Sequence, residues 1–128
     1  MKSQPEPTII KTMSEVTIYH NPHCSKSRAT LALLEEHGVT PDVVEYLSTP
    51  PDAATLKRLL DLLGLPPREL MRRKETAYSD LGLDDDTLSD DALIEAMIAN
   101  PMLIERPIVV AGQKAVVGRP PKNVLTLV

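Results

Sequence analysis

VTIYHNPHCSKSRATLALLEEHGVTPDVVEY, residues 16–46, is the stretch whose reading decides the fold. Val16-Thr17-Ile18-Tyr19 is β-branched and aromatic and predicts a short strand, which Asn21-Pro22 breaks. From Ser25 an apolar helical pattern with Leu31 and Leu34 on one face runs to His37, and Gly38 is the stop. Asp42 to Tyr46 reads as a second strand. Strand, helix, strand in this order favours a parallel pair joined by a right-handed crossover.

Outward from this unit the pattern changes. Leu56, Leu59, Leu60 and Leu63 recur at i, i+3, i+4 and i+7, with Asp52 before them and Gly64 after, which predicts an amphipathic helix. Pro66-Pro67 opens a short helix expected to run through Arg73, and Asp84-Asp85-Asp86 reads as a solvated loop. A further helix is expected from Ser89 to Ala99, where Asp90 and Asp91 suit the positive end of the helix dipole. Two apolar runs, 107–111 and 114–118, flank Gly112-Gln113 and predict an antiparallel hairpin. Pro120-Pro121 should open a last helix reaching Leu127. The expected class is α/β: a mixed β-sheet flanked by helices, with a helical insertion between the two halves of the sheet. Residues 1–14 read as a polar, Pro-containing tail with little order of its own, and 15–128 as one domain with its insertion at about 52–104.

Composition narrows the function. The 128 residues carry 42% hydrophobic and 25% charged side chains, ordinary for a globular protein. There is no Trp and no Phe, so aliphatic side chains must fill the core. A net charge of −4 provides no basic field for nucleic acid or anionic lipid. No apolar run approaches the roughly 20 residues of a membrane span, and no signal-peptide core stands at the N-terminus, so a cytoplasmic location is expected.

Cys24 is the one cysteine in the sequence, so it has no internal disulfide partner. It lies at the start of the first helix, where free backbone N–H groups and the helix dipole favour a thiolate over a thiol and also suit an oxyanion. Lys26 and Arg28 add positive charge. Free cysteines are often inert core filler, but His23, Ser25, Lys26, Ser27 and Arg28 are poor core neighbours. Ser27 occupies the position where a dithiol oxidoreductase has its second Cys, which excludes internal disulfide chemistry. Three residues separate Cys24 from Arg28 where a cysteine-phosphatase loop has five. His20, His23 and Cys24 fall short of a four-ligand zinc set, so no metal and no bound cofactor are expected.

Four separated motifs, YHNPHCSKSR (19–28), LMRRKE (70–75), ERPIVV (105–110) and GRPP (118–121), resemble the glutaredoxin-linked arsenate reductase (ArsC) family. The resemblance covers about Val16 to Leu127. It implies a thioredoxin-like fold and an enzyme that reduces arsenate to arsenite. Residue by residue it implies Cys24 as nucleophile, His20 as the group that helps keep the thiol ionised, and Arg72, Arg106 and Arg119 as the oxyanion-binding arginines. Ser27, Arg28 and Pro107 are implied as supporting residues, and Arg106-Pro107 matches the cis-proline position of thioredoxin-like folds. Arginine suits the role physically, because its planar, permanently charged fork pairs bidentately with tetrahedral oxyanions. Arg58, Arg68 and Arg73 are expected to be solvated or weakly paired. The resemblance implies glutathione as co-substrate and glutaredoxin as partner; a monomer is expected, and the charge and hydropathy give no expectation of nucleic acid or membrane. The C-S-K-S-R loop departs from the Gly and Thr that the well-studied members carry after their Cys. Two other functions fit the same scaffold: another glutathione-dependent thiol oxidoreductase, and a non-enzymatic redox-regulatory protein that binds a protein partner.

Overall fold

A computed structural model describes residues 16–127, so the expected tail at 1–14 lies outside the described residues. Within them the chain forms two compact units, one from residues 16–45 with 106–127 and one from residues 46–105.

The first unit holds the sheet. Strand β1 (Val16–Tyr19) leads to helix α1 (Ser25–Glu36) and strand β2 (Asp42–Val44), and the chain returns later as β3 (Ile108–Ala111) and β4 (Lys114–Val117). The strand order is β2-β1-β3-β4. β1 and β2 run parallel, as the β-α-β reading requires, while β1–β3 and β3–β4 are antiparallel. The result is a mixed, thioredoxin-like sheet. β1 alternates buried and half-buried residues, so one set of side chains faces the core. Ile18 opposes Val109 across the β1–β3 ladder. Both pack with Val16, Leu34 of α1, Val39 and Val124 in a buried aliphatic cluster. Val124 belongs to a 3-10 helix, Pro121–Thr126, where a last helix was expected.

The second unit is helical. α2 (Ala53–Leu63) has the expected caps: the Asp52 carboxylate accepts from the Thr55 N–H at 2.8 Å, and Gly64 closes the helix in the left-handed region at φ 69°. That N–H holds the Asp52 carboxyl below its ordinary pKa. α4 (Asp90–Ala99) follows α3 (Thr76–Asp80), and Ser89 caps α4 through its hydroxyl. Leu56, Leu59, Leu60, Leu93, Ile94 and Met97 are the buried face of α2 and α4.

Several boundaries differ from expectation. β2 ends at Val44 rather than Tyr46. The helix expected through Arg73 is a 3-10 turn, Pro67–Leu70, because Met71 turns extended and bridges Ile104. The five-residue α3 and a 3-10 turn at Pro101–Leu103 were not foreseen. Arg68 is not merely solvated: its guanidinium donates to the Tyr78 hydroxyl at 2.9 Å, to the Leu83 carbonyl and to the Asp85 carbonyl at 2.9 Å. Arg73 pairs with Glu69, as a surface arginine should.

Candidate active site

The site begins where β1 ends. His20 continues the parallel ladder, its N–H donating to Val44 O at 2.8 Å. Asn21 then builds the turn: its Oδ1 accepts from the His23 N–H at 2.9 Å and its carbonyl from the Cys24 N–H at 3.0 Å. Cys24 is the N-cap residue of α1, extended at φ −100° and ψ 124°, and its side chain makes no capping hydrogen bond. The first helical bond runs from the Arg28 N–H to Cys24 O at 3.0 Å. Helix geometry therefore leaves the N–H groups of Ser25, Lys26 and Ser27 without main-chain acceptors beside the half-buried thiol. Arg28 closes the turn from outside, donating from Nη1 to the Pro22 carbonyl at 2.9 Å.

Under this turn lies a buried polar pair. Ser27 is fully buried and His20 only 6% exposed. The Ser27 Oγ accepts from the Asn21 N–H at 3.0 Å and lies 2.6 Å from His20 Nδ1. Burial is the main cause that pulls the His20 pKa below 6.5; Glu45 opposes the shift and the Arg28 cation adds to it.

Sheet register brings further residues to the same end. Tyr19 pairs with Ile108, and Ile108 with Val117. The C-terminal ends of β1 and β4 and the N-terminal end of β3 therefore coincide, so His20, Arg106-Pro107 and Gly118-Arg119 leave one edge of the sheet together. Both Arg106-Pro107 and Arg119-Pro120 are cis peptides, the second unforeseen. The Gly118 N–H donates to Pro107 O at 2.9 Å, and Arg119 Nη1 reaches Arg106 O at 3.4 Å. Gly118 also meets α1: Thr30 Oγ1, which donates to the Lys26 carbonyl at 2.8 Å, lies 3.4 Å from the Gly118 carbonyl. A Cβ at Gly118 would stand 2.6 Å from Thr30 Oγ1 and 3.0 Å from Pro107 Cγ, so only glycine fits without displacement.

Residues 19–127 match the family model described as the ArsC family. The chain belongs to the ArsC family. Among its relatives, the uncharacterized protein YfgD of Escherichia coli K12 is 62% identical over 115 residues, 89% of this chain and 97% of that one. An arsenate reductase of Neisseria meningitidis serogroup A is 53% identical over 113 residues, covering 88% and 97%. The solved arsenate reductase of Vibrio cholerae superposes with a TM-score of 0.88 at 56% identity, covering 91% of this chain and 99% of that one.

The ArsC motifs are distributed over both units. His20, Cys24, Ser27 and Arg28 share the hydrogen-bonded turn, and Arg106, Pro107 and Arg119 share its end of the sheet. Arg72 stands in the helical unit. Its N–H donates to Leu103 O at 2.7 Å, its Nη1 pairs with Glu75 at 2.9 Å and its Nε with Glu105 at 3.6 Å. Asn21, Thr30, Gly118, Glu75 and Glu105 make contacts that the motifs alone assign no role. Asn21 had a signal, since Asn two residues before His23 is the pattern of a side-chain-to-backbone turn. Thr30 and Gly118 lie 88 residues apart and carried none.

Proposed function

We propose that this ArsC-family chain reduces arsenate to arsenite with glutathione and glutaredoxin, through Cys24. One observation carries the reading: the sole thiol of the sequence is the N-cap of α1, beside N–H groups that helix geometry leaves unbonded. Those groups suit both a thiolate and a bound oxyanion. Arg106 and Arg119 from the same end of the sheet are the cations for the arsenate oxygens, and they offset the repulsion between a thiolate and a multiply charged anion.

In the first step the Cys24 sulfur forms a bond to arsenic(V), and an arsenate oxygen leaves as water after taking up protons. The thioarsenate then meets glutathione. The glutathione thiolate attacks the Cys24 sulfur, an S–S bond forms, the S–As bond breaks, and its electron pair stays on arsenic. Arsenic falls from +5 to +3 while two thiols are oxidised to one mixed disulfide. A second thiol from outside is required because these 128 residues supply one. A glutaredoxin thiolate next takes the glutathionyl group and releases the Cys24 thiolate. Such chemistry needs a reducing compartment with a glutathione pool, which places it in the cytoplasm.

The test is arsenite production from arsenate, glutathione and glutaredoxin. The wild type should turn over, Cys24→Ser should not, and Arg106→Ala should show a raised KM for arsenate. No turnover by the wild type overturns the arsenate reading; turnover by Cys24→Ser overturns the mechanism.

A further inference from the structure

We infer that Ser27 is a positioning residue that holds His20 as a neutral imidazole with its proton on Nε2, so that His20 serves the site as an N–H donor and not as a cation. The inference rests on the proposed role of His20 beside Cys24 and specifies how that role is performed.

A count of protons leads there. A serine hydroxyl has one hydrogen to donate and two lone pairs to accept with. Ser27 Oγ already accepts from the Asn21 N–H at 3.0 Å. Its own hydrogen is fully buried and must find an acceptor, since a buried unsatisfied hydroxyl costs about 1–3 kcal/mol. Among the described residues the acceptor within reach is His20 Nδ1 at 2.6 Å. If Ser27 donates, Nδ1 must be the bare nitrogen of the ring, and the ring proton then sits on Nε2. The opposite assignment, with Nδ1–H donating to Ser27, leaves the fully buried Ser27 hydrogen without an acceptor among the described residues.

The surroundings agree. His20 is 6% exposed, which disfavours the imidazolium, and the Arg28 guanidinium disfavours it further. Glu45 is the one group that acts in the other direction, and burial outweighs it. With Nδ1 engaged by Ser27, the N–H on Nε2 is the donor left for the thiolate or for an oxygen of the bound anion. A neutral donor has a consequence a cation lacks: it stabilises the sulfur anion without competing with the arginines for the substrate's charge.

The experiment is long-range 1H–15N correlation NMR on the full chain labelled at histidine nitrogens, with the His20 signals assigned by their loss in His20→Gln. The wild type should show Nδ1 unprotonated and Nε2 protonated near neutral pH, and should keep that state as the pH falls below 6.5. Ser27→Ala should give a mixed-tautomer spectrum with protonation at higher pH than in the wild type, and Ser27→Thr, which keeps the hydroxyl, should restore the single tautomer. A wild-type spectrum with Nδ1 protonated overturns the inference, and so does a tautomer unchanged in Ser27→Ala. The wild-type spectrum alone decides if the variants do not fold. Because the readout is spectroscopic, it stands apart from arsenate turnover, so the failure of one does not mimic the failure of the other.

Discussion

The turn around Cys24 and the segment around Arg72 both carry residues that the ArsC motifs nominate, yet different forces hold them. In the turn, neutral groups are buried and bonded in sequence: Asn21 to Ser27, Ser27 to His20, Asn21 to Cys24. In the segment, charged groups are partly exposed and paired: Arg72 with Glu75 and Glu105, Arg73 with Glu69. Buried hydrogen bonds are rigid and costly to leave unmade, whereas exposed ion pairs are weak and screened by salt. The Cys24 thiol therefore sits in a preorganised setting. Arg72, held by partly exposed ion pairs, is the more loosely held of the two.

The largest effect should come from the joint that ties the turn's helix to the arginine-bearing hairpin. Gly118→Ala places a methyl 2.6 Å from Thr30 Oγ1 and should destabilise the chain by about 1–3 kcal/mol, read as a lower denaturant midpoint. Gly118→Ala combined with Thr30→Ser removes a neighbouring methyl and should recover part of the loss. An unaffected midpoint in the single variant would mean that the joint is loose and the contrast with Arg72 unfounded.

A middle effect should follow pH. His20 is held below 6.5 in the folded chain, so the unfolded chain takes up its proton first as pH falls. Stability from this residue is complete above 6.5, declines as pH falls from there toward the folded value, and is flat below it. Denaturation of wild type and His20→Gln over a pH series should diverge only on the acid side. A wild type that gains stability relative to the variant on acidification would contradict the buried neutral ring.

The smallest effect belongs to the ion pairs. Glu75→Gln should change stability by no more than about 1 kcal/mol, with the difference shrinking as salt is raised. A difference that does not shrink with salt would show that the pair is more than a screened surface contact.

Much of this contrast was legible in the sequence, and the unread part has physical reasons. The β-α-β unit announced itself through β-branched residues 16–18 and the apolar face of α1, and Asp52, Gly64 and Ser89 gave true helix ends. α3 is five residues long with no capping side chain, too short for periodicity to register. The helix expected through Arg73 stopped early because Met71 pairs with Ile104, a contact 33 residues away that no local pattern encodes. Cys24 and its basic neighbours pointed to chemistry by type and position. The link from His20 to Ser27 did not, because it exists only once the strand end and the helix start are folded against each other.

In the proposed mechanism Cys24 supplies one thiol and glutathione the other. Intact-protein mass spectrometry after a single turnover, with arsenate and glutathione present and glutaredoxin withheld, tests it directly. One glutathionyl group per chain, located on Cys24, should form in step with one arsenite per chain and be discharged when glutaredoxin is added. Arsenite released while Cys24 stays unmodified would contradict it.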